Sequence, residues 1–257
     1  MANVLVCIKR VPDTGGEITL TEDQMSVDDR HLGHTVSTHE ECAVELAVQT
    51  AKATDGEVTV LTVGSGDSVE QLRDALAVGC TGAVLVEAET ASYGPAEVAA
   101  AIAGVVRAHT AVGTTYDLVL LGNDAADSGD FQVGVRLGYE LGRPVVAGIS
   151  TVEVVGDRVI ARGDGPDGGT EIYELDLPAV VTVMEGGVEP RYPTIPGRMK
   201  AKRASIETLP SAVEPAKLAR VRLKLPAQQA SEVSILGEGA AAAPAVVDLL
   251  ESLGLAR

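Results

Sequence analysis

The sequence has no tryptophan and a single phenylalanine, Phe131, and aromatic residues make up 2% of it. A core without aromatic bulk has to be filled by Val, Leu, Ile and Ala, which suits a buried parallel sheet covered by small-residue helices. Cysteine is scarce as well. Cys7, Cys42 and Cys80 make no disulfide framework, and Cys7 and Cys80 stand in apolar surroundings, so reduced core thiols and a cytoplasmic location are expected. Long apolar runs are missing, so no membrane insertion is expected. The first apolar run, Val4 to Ile8, is only strand length and lacks the basic flank of a signal peptide. Positive charge is also short: 20 Lys and Arg against 37 Asp and Glu leave a net −17. That balance argues against nucleic acid and anionic membranes as general partners.

What the sequence does contain is an alternation of short apolar runs and amphipathic stretches. Val4–Ile8, Val58–Val63, Gly82–Val86 and Leu118–Leu121 read as strands buried on both faces. Between them lie helical patterns. Ser37 and Glu40 form a capping box ahead of Ala43, Val44, Ala47 and Ala51. Leu72, Leu76 and Val78 mark a second helix, and Pro95 starts a third that runs to about Ala108. This is the β-α-β-α order of a doubly wound, mostly parallel α/β sheet. After Pro144 the pattern changes. Val145–Ser150 is a strand, Thr151–Val155 and Arg158–Arg162 flank the turn Gly156-Asp157, Ile172–Leu175 pairs back, and Pro178–Met184 is a last buried strand. The second half therefore adds antiparallel strands. Glu17–Arg30 reads as a polar hairpin or irregular excursion. His31, His34 and His39 cluster near it without a fourth ligand at clear spacing, so they read as surface polar residues rather than a metal site.

The most informative stretch follows Leu118–Leu121. Gly122 stops that run, and Asn123, Asp124, Ala125, Ala126 and Asp127 are small or polar. Ser128, Gly129 and Asp130 come next, and Phe131, Gln132 and Val133 lead into a helix carrying Leu137 and Leu141, closed by Gly142-Arg143-Pro144. Such a loop lies at the carboxyl end of a parallel strand, where open α/β sheets bind ligands. Free N–H groups at a helix start attract an anion, and Gly129 permits close approach. Asp124, Asp127 and Asp130 would repel a phosphate unless they cap N–H groups or face away. Two readings stay open on these residues alone: a capped turn, or a nucleotide site. The basic loop Lys9-Arg10 also follows a parallel strand and would open on the same crevice. Gly64-x-Gly66 is a lone glycine pair and makes no dinucleotide fingerprint.

Towards the C-terminus, Glu189–Arg203 holds five basic residues and no acid after Glu189, inside an acidic protein. Its prolines stiffen it, and Ile195 lies between two of them in an expected loop. It is either an exposed apolar tip or a residue tucked into the core. Arg220–Pro226 reads as a short basic strand, Gln228–Ala243 as an extended small-residue connection, and Pro244–Leu253 as an apolar helix. One such helix is not stable alone, so it is expected to pack on another subunit.

Four blocks together carry a family likeness: Val6 to Asp13, Leu118 to Gly134, Leu177 to Val183, and Glu-Pro-Arg-Tyr-Pro-Thr-Ile-Pro-Gly-Arg-Met-Lys-Ala-Lys at 189–202. Over nearly its whole length the chain resembles the beta subunit of electron transfer flavoprotein. The resemblance implies a Rossmann-like fold of the adenine-nucleotide-hydrolase type and a partner alpha subunit. It further implies a carrier without catalytic side chains, moving electrons from flavin-dependent dehydrogenases to a quinone-linked oxidoreductase. FAD would sit mainly on the alpha subunit, with AMP in this one. By likeness, the AMP phosphate lies on the backbone of Gly122 to Val133, and the adenosine near Cys7, Ser37, Thr38, His39, Glu40 and Val63. Ile195, with Arg191, Tyr192, Arg198 and Lys200 around it, looks like the segment that docks on a dehydrogenase. Residues 1–209 would then be the nucleotide-binding domain, with docking segment 189–203, and 210–257 the arm on the alpha subunit. In the electron-bifurcating members a second FAD takes the AMP position and NADH is the donor. A nucleotide-sensing α/β protein would need neither the basic segment nor the arm. An adenylating enzyme would need a Ser-Gly-Gly-x-Asp-Ser loop where Lys9-Arg10-Val11-Pro12 stands.

Overall fold

Strand β1, Val4–Ile8, is buried at all five positions. Val4, Val6 and Ile8 enter one apolar layer, while Leu5 and Cys7 enter the other. Side chains that alternate between two apolar layers require cover on both faces of the sheet. The computed structural model describes residues 1–13, 15–215, 221–227 and 234–255. Residues 1–223 form one compact unit and 224–257 another.

In the first unit a short ribbon pairs β2 (Val11–Pro12) with β3 (His34–Thr35). The main elements follow in order: α1 (Thr38–Thr54), β4 (Val58–Gly64), α2 (Val69–Val78), β5 (Gly82–Glu87), α3 (Pro95–Ala111), β6 (Leu118–Gly122) and α4 (Val133–Leu141). Then come β7 (Val145–Val155), β8 (Arg158–Asp164), β9 (Thr170–Asp176), β10 (Ala179–Val183), α5 (Ile195–Arg203) and β11 (Glu207–Pro210). The nine-stranded sheet has the order β11-β5-β4-β1-β6-β10-β7-β8-β9. Every pairing from β11 to β7 is parallel. The β7–β8 and β8–β9 pairings are antiparallel. The doubly wound reading and its antiparallel additions therefore hold. Buried residues of α1, α2 and α5 pack on one face, and those of α3 and α4 on the other. The strand order reverses between β1 and β6, which makes their carboxyl ends the switch point where such sheets open a crevice.

Several local expectations change. Residues 145–155 are one long strand rather than a strand followed by half a hairpin; its register shifts after Ile149, beside Gly148 at φ +74°. The proline-rich segment is only partly a loop, because Ile195–Arg203 is helical. Thr194 caps α5, its hydroxyl accepting from Gly197 N at 3.1 Å. Pro196 is tolerated in the first turn, where its missing N–H is not needed. Lys200, Lys202 and Arg203 fall in the last turn, where cations favour the helix dipole. Strand β11 then extends the sheet beside β5, a pairing that local periodicity did not signal. The basic strand expected over 220–226 does not form: residues 221–226 have no ladder, although Leu223 N donates to Gln24 O. Arg220 lies outside the described residues.

In the second unit, a short turn at Gly239–Ala242 precedes α6 (Ala243–Ser252). The turn interrupts the connection expected to be extended, of which 228–233 lie outside the described residues. Helix α6 buries no residue, and Val247, Leu249, Leu250 and Leu253 are exposed. Among the described residues, no helix is long and apolar enough to cross a membrane.

Candidate functional site

The crevice at the switch point is built by three chain segments whose fit depends on missing side chains. Gly122 ends β6 against the start of α1. A β-carbon there would lie 2.7 Å from Glu40 Cγ and 3.2 Å from His39 Cβ. Gly134, in the first turn of α4, sits against β10: a β-carbon would lie 2.1 Å from Thr182 Cγ2. Glycine at these two positions lets the strand end and the helix start close around one loop, 123–132.

That loop is tied down by a polar cluster. Asn123 N donates to Val183 O at 2.9 Å. Asn123 Oδ1 accepts from Thr182 Oγ1 at 2.6 Å and from Gly148 N at 3.1 Å. Gly148 N also reaches Thr182 Oγ1 at 3.1 Å. Ser128 N and Gly129 N both donate to Ala125 O, which folds 125–129 into a turn. Gly129 has φ +57° and Phe131 φ +54°, the latter unusual for a bulky side chain. Phe131 is 57% exposed. The first N–H groups of α4, starting at Val133, have no intrahelical acceptors and carry the positive end of the helix dipole.

Two of the three acids that would repel a phosphate have side-chain neighbours from elsewhere in the chain. Asp124 Oδ1 lies 2.5 Å from His39 Nδ1, with both side chains mostly buried. Asp127 Oδ1 accepts from Lys9 Nζ at 2.7 Å. Asp130 is exposed. The basic loop after β1 and the start of α1 therefore converge on the central loop. Ser37 joins them, its hydroxyl reaching Asp124 O at 3.4 Å.

Glu40 sits underneath, buried. Its Oε2 accepts from Ser37 N at 2.9 Å and from Ser37 Oγ at 2.6 Å, so the carboxylate half of the capping box is formed. Burial outweighs these bonds and the nearby Lys9, and pushes its pKa up to about 7. The Cys7 thiol is raised by burial and then by Glu40, so it stays protonated and inert. Val63 is the last residue but one of β4, the strand that pairs with β1. The Thr38 hydroxyl donates to Glu185 Oε2 at 2.6 Å. Sequence reasoning missed Thr182 and Gly148. Thr182 carried one signal, as the only polar residue in a strand of otherwise apolar side chains.

The chain from 24 to 214 matches the family model of the electron transfer flavoprotein domain. The chain belongs to the electron transfer flavoprotein family. Relatives named electron transfer flavoprotein subunit beta align over most of its length. The protein from Syntrophomonas wolfei is 34% identical over 236 residues, covering 91% of this chain and 90% of its own. That from Bacillus subtilis is 33% identical over 258 residues, covering 97% and 98%. The human protein is 36% identical over 210 residues, covering 80% of each. Within this family the beta subunit is an electron carrier by name, and it implies an alpha subunit as its partner.

The proposed docking residues lie in a different place. Ile195 is 77% exposed at the start of α5, and Tyr192 is 89% exposed. Arg198 and Lys200 are exposed on the same helix. Arg191 is committed within the chain. Its Nε and a terminal nitrogen donate to the two oxygens of buried Glu45 at 2.6 and 2.7 Å.

Proposed function

We propose that this chain holds one adenine nucleotide in the β1/β6 crevice, as a structural AMP, and pairs with an alpha subunit that carries most of the FAD contacts. One observation carries the reading: in a member of this family, the start of α4 closes on a glycine loop whose Asp127 is paired with Lys9 and whose Asp124 lies against the His39 imidazole. A phosphate placed at the start of α4 then meets free N–H groups, with Asp127 neutralised by Lys9 and Asp124 turned to the His39 imidazole. The residues present fit a nucleotide phosphate. When bound, the flavin supplies the electron chemistry, while this chain's groups bind, orient and exclude water. The exposed Ile195 on α5 supports docking on a flavin-dependent dehydrogenase, with a quinone-linked oxidoreductase as acceptor and the cytoplasm as the compartment.

The test is to co-purify the chain with its alpha subunit, denature the complex, and identify and count the released nucleotides. One FAD and one AMP per heterodimer are expected. Two FAD and no AMP would replace this reading with the bifurcating one and an NADH donor. No nucleotide would return the loop to a plain capped turn.

A further inference from the structure

Among the described residues two carboxylate side chains are buried, Glu40 and Glu45. They are held in different ways. Glu45 is paired with Arg191. Glu40 has no cation within ion-pair distance among the described residues. Its Oε2 accepts from Ser37 N and Ser37 Oγ, and the nearby Lys9 ammonium is committed to Asp127 at 2.7 Å. A buried carboxyl without a cation partner is a group whose charged form is the costly one.

Its place in the fold gives that cost a use. A β-carbon at Gly122 would lie 2.7 Å from Glu40 Cγ. Ser37, which donates to Glu40, also reaches Asp124 O at 3.4 Å. The end of β6, the start of α1 and the loop 123–132 therefore meet on this one side chain. The titratable and charged groups around it come from every neighbouring element. Cys7, Lys9 and Arg10 belong to β1 and the chain just after it, His39 and Glu41 to α1, Asp124 and Asp127 to the loop, and Glu185 follows β10. Strand β4 ends in the uncharged Val63 and Gly64. Lys9 favours the ionised form of Glu40, but burial outweighs it and leaves the carboxyl at about 7, where its proton exchanges near neutral pH.

We infer that Glu40 takes up a proton when an anionic nucleotide enters the crevice, so that occupancy of the site and protonation of this carboxyl are linked. The inference rests on the nucleotide reading and deepens it. A phosphate on the loop brings further negative charge to a water-poor crevice, where repulsion between like charges is weakly screened. Lys9 cannot serve Asp127, the phosphate and Glu40 at once. The least costly response is for the Glu40 carboxylate to accept a proton from the buffer, which leaves one buried charge fewer. Linkage is reciprocal: a protonated Glu40 favours the anion, and rising pH loosens it.

The experiment is calorimetric titration of the full chain with AMP at about pH 8, where the phosphate is already a dianion, in two buffers of different ionisation enthalpy. Uptake of more than about half a proton per AMP is expected, with affinity falling several-fold between about pH 7 and 8. Glu40→Gln should bind AMP without proton uptake and with an affinity independent of pH. Infrared difference spectra of the parent keep the test decisive if that variant fails to fold: AMP should bring in the band of a protonated carboxylic acid. AMP binding by the parent without proton uptake, or uptake that survives in Glu40→Gln, would overturn this inference and leave the nucleotide reading standing. No AMP binding by the parent would remove both.

Discussion

Gly134 and Thr182 are packed so closely that a β-carbon on residue 134 would lie 2.1 Å from Thr182 Cγ2. The contact joins the first turn of α4 to the end of β10, and the same threonine bonds Asn123 through its hydroxyl. One residue therefore sets both the helix start and the loop it serves. Gly134→Ala is expected to destabilise the chain by roughly 1–3 kcal/mol, as overpacking does, and to lower nucleotide content. Thr182→Ser removes Cγ2 and keeps the hydroxyl. The double variant should then recover most of the loss in chemical denaturation. Failure of that rescue would show that the close approach is not what glycine serves.

The buried Glu40 carboxyl makes stability depend on pH in a definite direction. Its folded pKa is raised by burial from 4.5 to about 7, so the folded chain binds this proton more tightly than the unfolded one. The associated stability is fully present below about 4.5 and is lost as pH rises through about 7. Glu40→Gln cannot ionise and still offers an oxygen to Ser37 N. The melting temperature of this variant relative to the parent should therefore climb across that window and level off above it. A difference that stays flat with pH would mean that the carboxyl titrates normally.

Arg191 links the 189–194 segment to α1 through both oxygens of Glu45, which is itself only 6% exposed. Arg191→Ala leaves a buried carboxylate bonded only by Gln49 Nε2 and, at 3.3 Å, by the backbone N–H of residue 191. It should cost roughly 1–3 kcal/mol, less than a fully buried pair because the guanidinium is 40% exposed. Arg191→Lys should restore less than half of that, because an ammonium cannot reproduce the two-point contact. Equal stability of Lys and Arg in urea titrations would refute the paired geometry.

Ile195 should separate docking from folding. At 77% exposed it gives the core almost nothing, so Ile195→Ala should change stability by no more than about 0.5 kcal/mol. Electron transfer from a dehydrogenase to the complex should nevertheless slow, with flavin content unchanged. A drop in melting temperature with transfer intact would make Ile195 a structural residue.

The crevice between β1 and β6 was more legible in the sequence than the ways in which its charge is balanced. Apolar runs at Val4–Ile8 and Leu118–Leu121 and the Ser37–Glu40 box are local patterns, and each became the element they indicate. The switch point follows from strand order, which the β-α alternation largely dictates. The three aspartates of the loop could be read but not weighed. Their partners, His39 and Lys9, lie 85 or more residues away in the chain, and periodicity says nothing about such pairs.

By itself, then, the sequence determined which stretches are buried strands and helices, and its motif blocks determined the family. A strand buried on both faces needs a continuous apolar run, and a helix start needs its cap, so these requirements are written locally. Only the tertiary structure decided that Ile195 begins a helix, that β11 closes one edge beside β5, and that Arg191 is held by Glu45. Each of these depends on a contact between distant residues, where burial and hydrogen-bond satisfaction are settled by packing and not by neighbours along the chain.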